Sequence, residues 1–129
     1  MKHSHIVTLE KAYASLVRGD VQGFLNLCSE SMTFQIQGKS KLAGKMSRAN
    51  FEKDYFAKIQ ELSTGTFRME LHDILASDLH ATVLMTCKLT RAGKEHEYRS
   101  VHVWRWDADK PLAGYEYPRD LYQYDAIWS

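Results

Sequence analysis

A chain of 129 residues is one domain's worth, long enough to bury roughly two thirds of the surface its unfolded form exposes without a staple. Its 17 basic and 16 acidic residues are well mixed and leave a net charge of +1, which excludes the electrostatic footprint of a nucleic-acid binder or of a protein held on an anionic membrane. A neutral or small partner is the expectation that remains.

Met1-Lys2-His3-Ser4-His5 leads straight into an amphipathic segment rather than a signal-peptide core, and the longest apolar stretches fall far short of a membrane span. A cytoplasmic address follows by default. With a free amine, Met1-Lys2-His3 would chelate copper or nickel in a square plane, although a frayed terminus explains the same residues. Ile6, Leu9, Ala12, Tyr13, Leu16 and Val17 recur at helical spacing, and Arg18-Gly19-Asp20 supplies a terminating glycine and a capping aspartate for the next helix. That second helix runs from about Val21 to Cys28. Met32 to Gln37 alternates as a half-buried strand, and Gly38 to Gly44 is a turn-rich excursion. Ser47 opens a third helix with Phe51, Tyr55, Ile59 and Leu62 in one stripe, stopped by Ser63-Thr64-Gly65.

From Thr66 the period changes to two. Strands are predicted around Phe67 to Leu71, Ala81 to Leu89, His96 to Trp106 and Leu112 to about Tyr122, separated by turn residues. Helices followed by a meander of four long antiparallel strands define an α+β class, one compact domain over residues 1–129 with the helices on one face of a strongly curved sheet. Cys28 and Cys87 read as reduced core residues. Phosphate loops, CxxC pairs and nucleophile elbows are absent, and His5, His72, His80 and His96 fit no metal-ligand spacing. No cofactor is implied.

The segment from Tyr98 to Trp128 holds all three tryptophans and five of the seven tyrosines. In its first strand the even positions are His96, Tyr98, Ser100, His102, Trp104 and Trp106, and alternation puts them on one face. His102 is the leading candidate for chemistry, as a donor to a carbonyl or an acceptor of a proton from an acidic carbon. A core histidine held by Ser, Tyr or backbone is the competing reading. Tyr98, Trp104, Trp106, Tyr115 and Tyr117 would line the same hollow, or simply form core. Glu116, Arg119 and Asp120 read as a salt-bridge set at its mouth.

The order helix, Arg18-Gly19-Asp20, helix, strand, Leu42-Ala43-Gly44, helix, then four strands ending Val101-His102-Val103-Trp104-Arg105-Trp106 and Arg119-Asp120-Leu121-Tyr122-Gln123-Tyr124 resembles the SnoaL-like branch of the nuclear transport factor 2-like superfamily. The resemblance covers nearly the whole chain. It implies a cone-shaped barrel with a pocket between helices and concave sheet, and homodimers packed through the convex face, where Val101 and Val103 would lie. The superfamily spans isomerases, cyclases, hydrolases and transport factors, so the fold does not choose a function.

Counted from the Gly-Asp anchor, the ketosteroid isomerase tyrosine falls on Ala12, with Tyr13 one residue off and turned about 100° away. The isomerase base falls on Ile36 and its protonated aspartate on His102. The hydrolase Arg-x-Asp has no counterpart, because nothing acidic lies between Ala81 and Arg91. The last-strand aspartate of cyclases and hydrolases falls on Tyr117, and Asp120 matches a position three residues on. The implied protein binds a small, largely apolar or cyclic carbonyl-bearing molecule among Tyr13, Phe34, Tyr55, Tyr98, Trp104, Trp106, Tyr115 and Asp120. Any reaction is a cofactor-free isomerisation, cyclisation or hydration, with His102 as acid-base group and Tyr117 as helper. The competing expectation is a filled cone without chemistry, acting as an association module through its sheet face.

Overall fold

The computed structural model describes residues 1–129. Helix α1 (Ser4–Val17) buries Leu9, Ala12, Tyr13 and Leu16 on one side, the three-and-four spacing that a helix needs to present a stripe to a core. Gly19 takes a φ of +86° at the corner that follows, where a side chain would strain the backbone. Asp20 then caps α2 (Val21–Leu27), its carboxylate accepting from the Gly23 amide at 2.9 Å.

Strand β1 (Thr33–Ile36) turns Phe34 and Ile36 inward. The excursion after it contains a strand that the sequence reading lacks: β2 (Gly44–Ser47) pairs antiparallel with β1. Only Met46 of its four residues is buried, so β2 has almost no period-two signal to detect. The predicted third helix is a continuous rod made of α3 (Arg48–Phe51), a π segment (Glu52–Ala57) and α4 (Lys58–Ser63). Four residues of α-helix turn through about 400°, so a stripe of residues four apart drifts by about 40° at each step. The wider i→i+5 turn takes back part of that drift, and Phe51, Tyr55 and Ile59 all stay buried.

The meander follows as β3 (Arg68–Ala76), β4 (His80–Arg91), β5 (Lys94–Asp107) and β6 (Lys110–Pro118). With β1 parallel to β6, the six strands form one open curved sheet in the order β2-β1-β6-β5-β4-β3. The even face of β5 points into the core from Tyr98 to Trp106, as alternation predicts. On β6, Gly114 sits opposite Trp104. A Cβ there would lie 2.6 Å from both the Phe34 and Trp104 rings, so only glycine leaves room for that indole.

The last strand stops at Pro118, not near Tyr122, and a helix replaces its predicted end. Asp120 caps α5 (Leu121–Ile127), accepting from the Gln123 amide at 3.2 Å. Tyr124, Ile127 and Trp128 anchor it in the core. The Lys39 amide donates to the Asp125 carboxylate at 3.1 Å, and the Lys41 amide to the Trp128 carbonyl at 3.0 Å. Tyrosine and tryptophan are middling helix formers, so local propensity hid α5. Both cysteines are free and buried. No helix is long and apolar enough to cross a membrane.

Candidate functional site

A chain of polar groups crosses the core between α1 and the sheet. β5 directs Ser100, His102 and Trp104 inward, and the antiparallel register sets His102 directly against Glu116 of β6. From α1, the Tyr13 hydroxyl reaches His102 Nδ1 at 2.6 Å and accepts from Trp104 Nε1 at 2.9 Å. On the other side of the imidazole, Nε2 stands 3.4 Å from Glu116 Oε2, close enough for an ion pair but out of line for a hydrogen bond. Ser100 Oγ donates to Oε2 at 2.7 Å, and the Tyr124 hydroxyl donates to Oε1 at 3.1 Å. His102 and Glu116 are each 1% exposed.

Burial alone pushes the Glu116 carboxyl up, but the His102 charge beside it and the donors around it outweigh burial and hold it below the ordinary carboxylate range. Burial likewise pushes the Tyr13 hydroxyl well up, more than the Trp104 donor lowers it, so Tyr13 keeps its proton. Proton positions follow from these two facts. A bare Nε2 lone pair facing a carboxylate is repulsive, so Nε2 carries a proton. Nδ1 then either accepts from Tyr13 in the neutral ring or donates to it in the charged one. In both arrangements His102 presents an acid at Nε2 and Glu116 a base beside it.

The other expected site residues divide sharply. Phe34 packs its edge on His102 with centroids 5.0 Å apart, and Tyr55 packs on Phe34 at 5.3 Å. Tyr13 points inward, so the displacement from the isomerase position does not remove a tyrosine from the site. Ile36 is buried and apolar. Tyr98 lies deeper toward α5, accepting from Trp128 Nε1 at 3.2 Å. Trp106 belongs to another cluster, stacked on His5 at 3.7 Å.

Tyr115 and Tyr117, expected in the hollow, stand outside it. Both lie on the outer face of β6, Tyr117 47% exposed, because Gly114 and Glu116 take the inner one. Tyr117 therefore cannot assist His102. Asp120 is an exposed helix cap rather than a ligand contact. Glu116 is no member of a surface salt-bridge set with Arg119 and Asp120. It is the buried carboxylate beside His102, and its position opposite His102 in the ladder is the signal that finds it. At the N-terminus, His3 is engaged through both ring nitrogens: Nδ1 accepts from the His5 amide at 3.1 Å, and Nε2 meets Asp78 at 2.7 Å. No cluster of three or more His, Cys, Asp or Glu is placed to hold a metal.

The expected hollow beside His102 is occupied by side chains. His102 lines none of the five principal cavities, and the rings of Tyr13 and Phe34 pack against it. A cavity of about 380 Å³ lies instead between the end of α1, the π segment with α4, and the start of β3. Leu16, Val17, Tyr55, Phe56, Ile59 and Met69 form its apolar wall, with Arg18 and Arg68 among its polar members. Tyr55 joins the two regions, since it lines this cavity and packs on the phenylalanine that covers His102.

A curved sheet of six strands covered by helices is the architecture of the cystatin-like and nuclear transport factor 2-like folds. The sequence matches the SnoaL-like domain over residues 9–113, and the chain belongs to that family. Bal32a, from a soil-derived mobile gene cassette, superposes with a TM-score of 0.90 at 23% identity, covering 98% of this chain and 97% of its own. A cystatin-like protein of unknown function from Xanthomonas campestris gives 0.85 at 19% identity, covering 100% and 99%. TerC, co-crystallised with polyporic acid, gives 0.82 at 19% identity, covering 98% and 100%. At such identities the likeness concerns the fold alone. No curated protein matches the chain by sequence.

Proposed function

We propose that the protein binds a small, largely apolar, carbonyl-bearing molecule and moves a proton on it without a cofactor, with Glu116 as base and His102 Nε2–H as acid. The observation that carries this reading is the buried pair itself. Two ionisable groups, each 1% exposed, incur a desolvation penalty of several kcal/mol per ion that apolar residues of the same volume would avoid. Such pairs concentrate where chemistry is done. Glu116 would take the proton from the carbon next to the carbonyl while Nε2–H supports the developing enolate oxygen. Tyr13, anchored by Trp104, fixes the ring through Nδ1. Access runs from the cavity inward past Tyr55 and Phe34, whose rings must turn aside.

The test is deuterium incorporation in D2O, followed by proton NMR, into cyclohexanone, 2-cyclohexenone and α-tetralone. Wild-type protein is expected to accelerate exchange next to the carbonyl of at least one of them. Glu116→Gln, checked for folding by circular dichroism, should lose a factor of roughly 10²–10⁴. Equal exchange by the two proteins, or none by wild type, contradicts the reading.

A second reading is favoured by the rings packed around His102 and by the outer face of β5 and β6. There Val101 and Val103 lie beside the Tyr115 and Tyr117 rings, which stack with centroids 6.4 Å apart. This face would join two copies of the chain. Sedimentation at micromolar concentration should give a dimer that Val103→Glu splits, and a wild-type monomer counts against the interface.

A further inference from the structure

Among the cations near the 380 Å³ cavity, one stands without an acidic partner. Arg18 bonds Ser15 Oγ at 3.2 Å and pairs with Asp20 at 3.6 Å, and Glu70 is taken by Lys88 at 3.0 Å. The one hydrogen bond of the Arg68 guanidinium is a long 3.5 Å contact to the neighbouring Phe67 carbonyl. At the wall, Tyr55 is 3% exposed and its hydroxyl bonds to no other group of the protein. It sits on the π segment, a distortion that recurs where helices serve a ligand. Apolar walls and an unpaired guanidinium describe a complementary molecule: a rigid apolar body ending in an anion.

We infer that this cavity takes a compact aromatic or alicyclic carboxylic acid, with the carboxylate on Arg68 and the ring system on Phe56, Ile59 and Met69. The inference rests on the reading that the cavity receives the ligand, but it needs no reaction at Glu116. It narrows the substrate class from carbonyl compounds in general to those that also carry an acid. A bicyclic acid fits a space of this size, and a planar guanidinium meets a carboxylate with two parallel hydrogen bonds.

The probes are 2-naphthoate and its neutral amide, 2-naphthamide, titrated into ¹⁵N-labelled protein at neutral pH. 2-Naphthoate is expected to bind more tightly and to shift the amides of Ile59, Phe67 and Met69. Arg68→Gln, an exposed substitution that leaves the core intact, should weaken 2-naphthoate about tenfold and leave 2-naphthamide unchanged. Ile59→Trp, which fills the cavity, should abolish both. If the two probes bind equally, or Arg68→Gln holds 2-naphthoate as tightly as wild type, the acid is overturned while the cavity stands as an apolar site. If neither probe binds wild-type protein, the cavity itself fails as a ligand site and the inference falls with it.

Discussion

Glu116→Ala is expected to destabilise the protein by about 3–5 kcal/mol, the cost of breaking a buried ion pair by removing one partner. The loss has two parts. Ser100 Oγ and the Tyr124 hydroxyl lose the acceptor they share, and His102 is left in a core that offers Nε2 nothing in exchange. Glu116→Leu together with His102→Phe should cost far less than the sum of the single changes, because it removes the carboxylate and its partner at once and refills the space. The pH dependence has a definite sign. Glu116 is held below its ordinary pKa of 4.5 in the folded protein, so its contribution is complete above that value and is lost as pH falls through the lower folded one. Urea unfolding at neutral pH and again below pH 4 should therefore show a wild-type advantage over Glu116→Gln that shrinks in acid. A neutral-pH cost under about 1 kcal/mol would mean that the pair does not form.

Trp104→Ala is expected to be comparably damaging, at about 3–5 kcal/mol. The indole is fully buried, lies over the bare backbone of Gly114, and packs beside Phe24 and Phe34 with centroids 6.1 and 5.6 Å away. Its N–H is also the donor that orients the Tyr13 hydroxyl toward His102. The void left by alanine would be too deep for the rigid strand backbone to collapse into. Trp104→Phe keeps part of the volume but not the donor, so comparing the two variants separates packing from the hydrogen bond. If Trp104→Ala melts within a degree or two of wild type, the indole is not the centre of this core.

These two positions also show what could be read from sequence and what could not. The inward face of β5 was legible because Tyr98, His102, Trp104 and Trp106 fall on one parity over a long strand, and only one face of a sheet covered by helices can take that much aromatic surface. On β6 the same logic misleads. There the aromatic residues, Tyr115 and Tyr117, hold the outer parity, while the inner one carries Gly114 and Glu116, which local hydropathy assigns to turn and solvent. Gly114 faces inward because Trp104 needs its missing side chain, and Glu116 because His102 waits across the ladder. Both causes are non-local, and neither can be seen before the register is known. Helix α5 was hidden for a milder reason, since the spacing of Tyr124, Ile127 and Trp128 is helical yet too short to compete with a strand reading.

The filled space at His102 is the largest departure from expectation. Aromatic residues that suggest the lining of a hollow serve equally well as its filling, and composition does not distinguish the two. Phe34, Phe51 and Tyr55 come from β1 and the long helical rod and close the cone over the imidazole. Open volume lies away from the imidazole, one cavity being at the end of α1, where Gly19 and Gly65 carry no side chains to fill it.

Carbon NMR of the Glu116 carboxyl, assigned by comparison with Glu116→Gln and followed from neutral pH into acid, bears most directly on the buried acid-base pair. The resonance should remain that of a carboxylate as the pH passes 4.5 and move only below it. A carboxyl that takes up its proton above that pH, while the protein stays folded, would show a neutral glutamic acid beside His102 and contradict the ion pair on which the proposed chemistry depends.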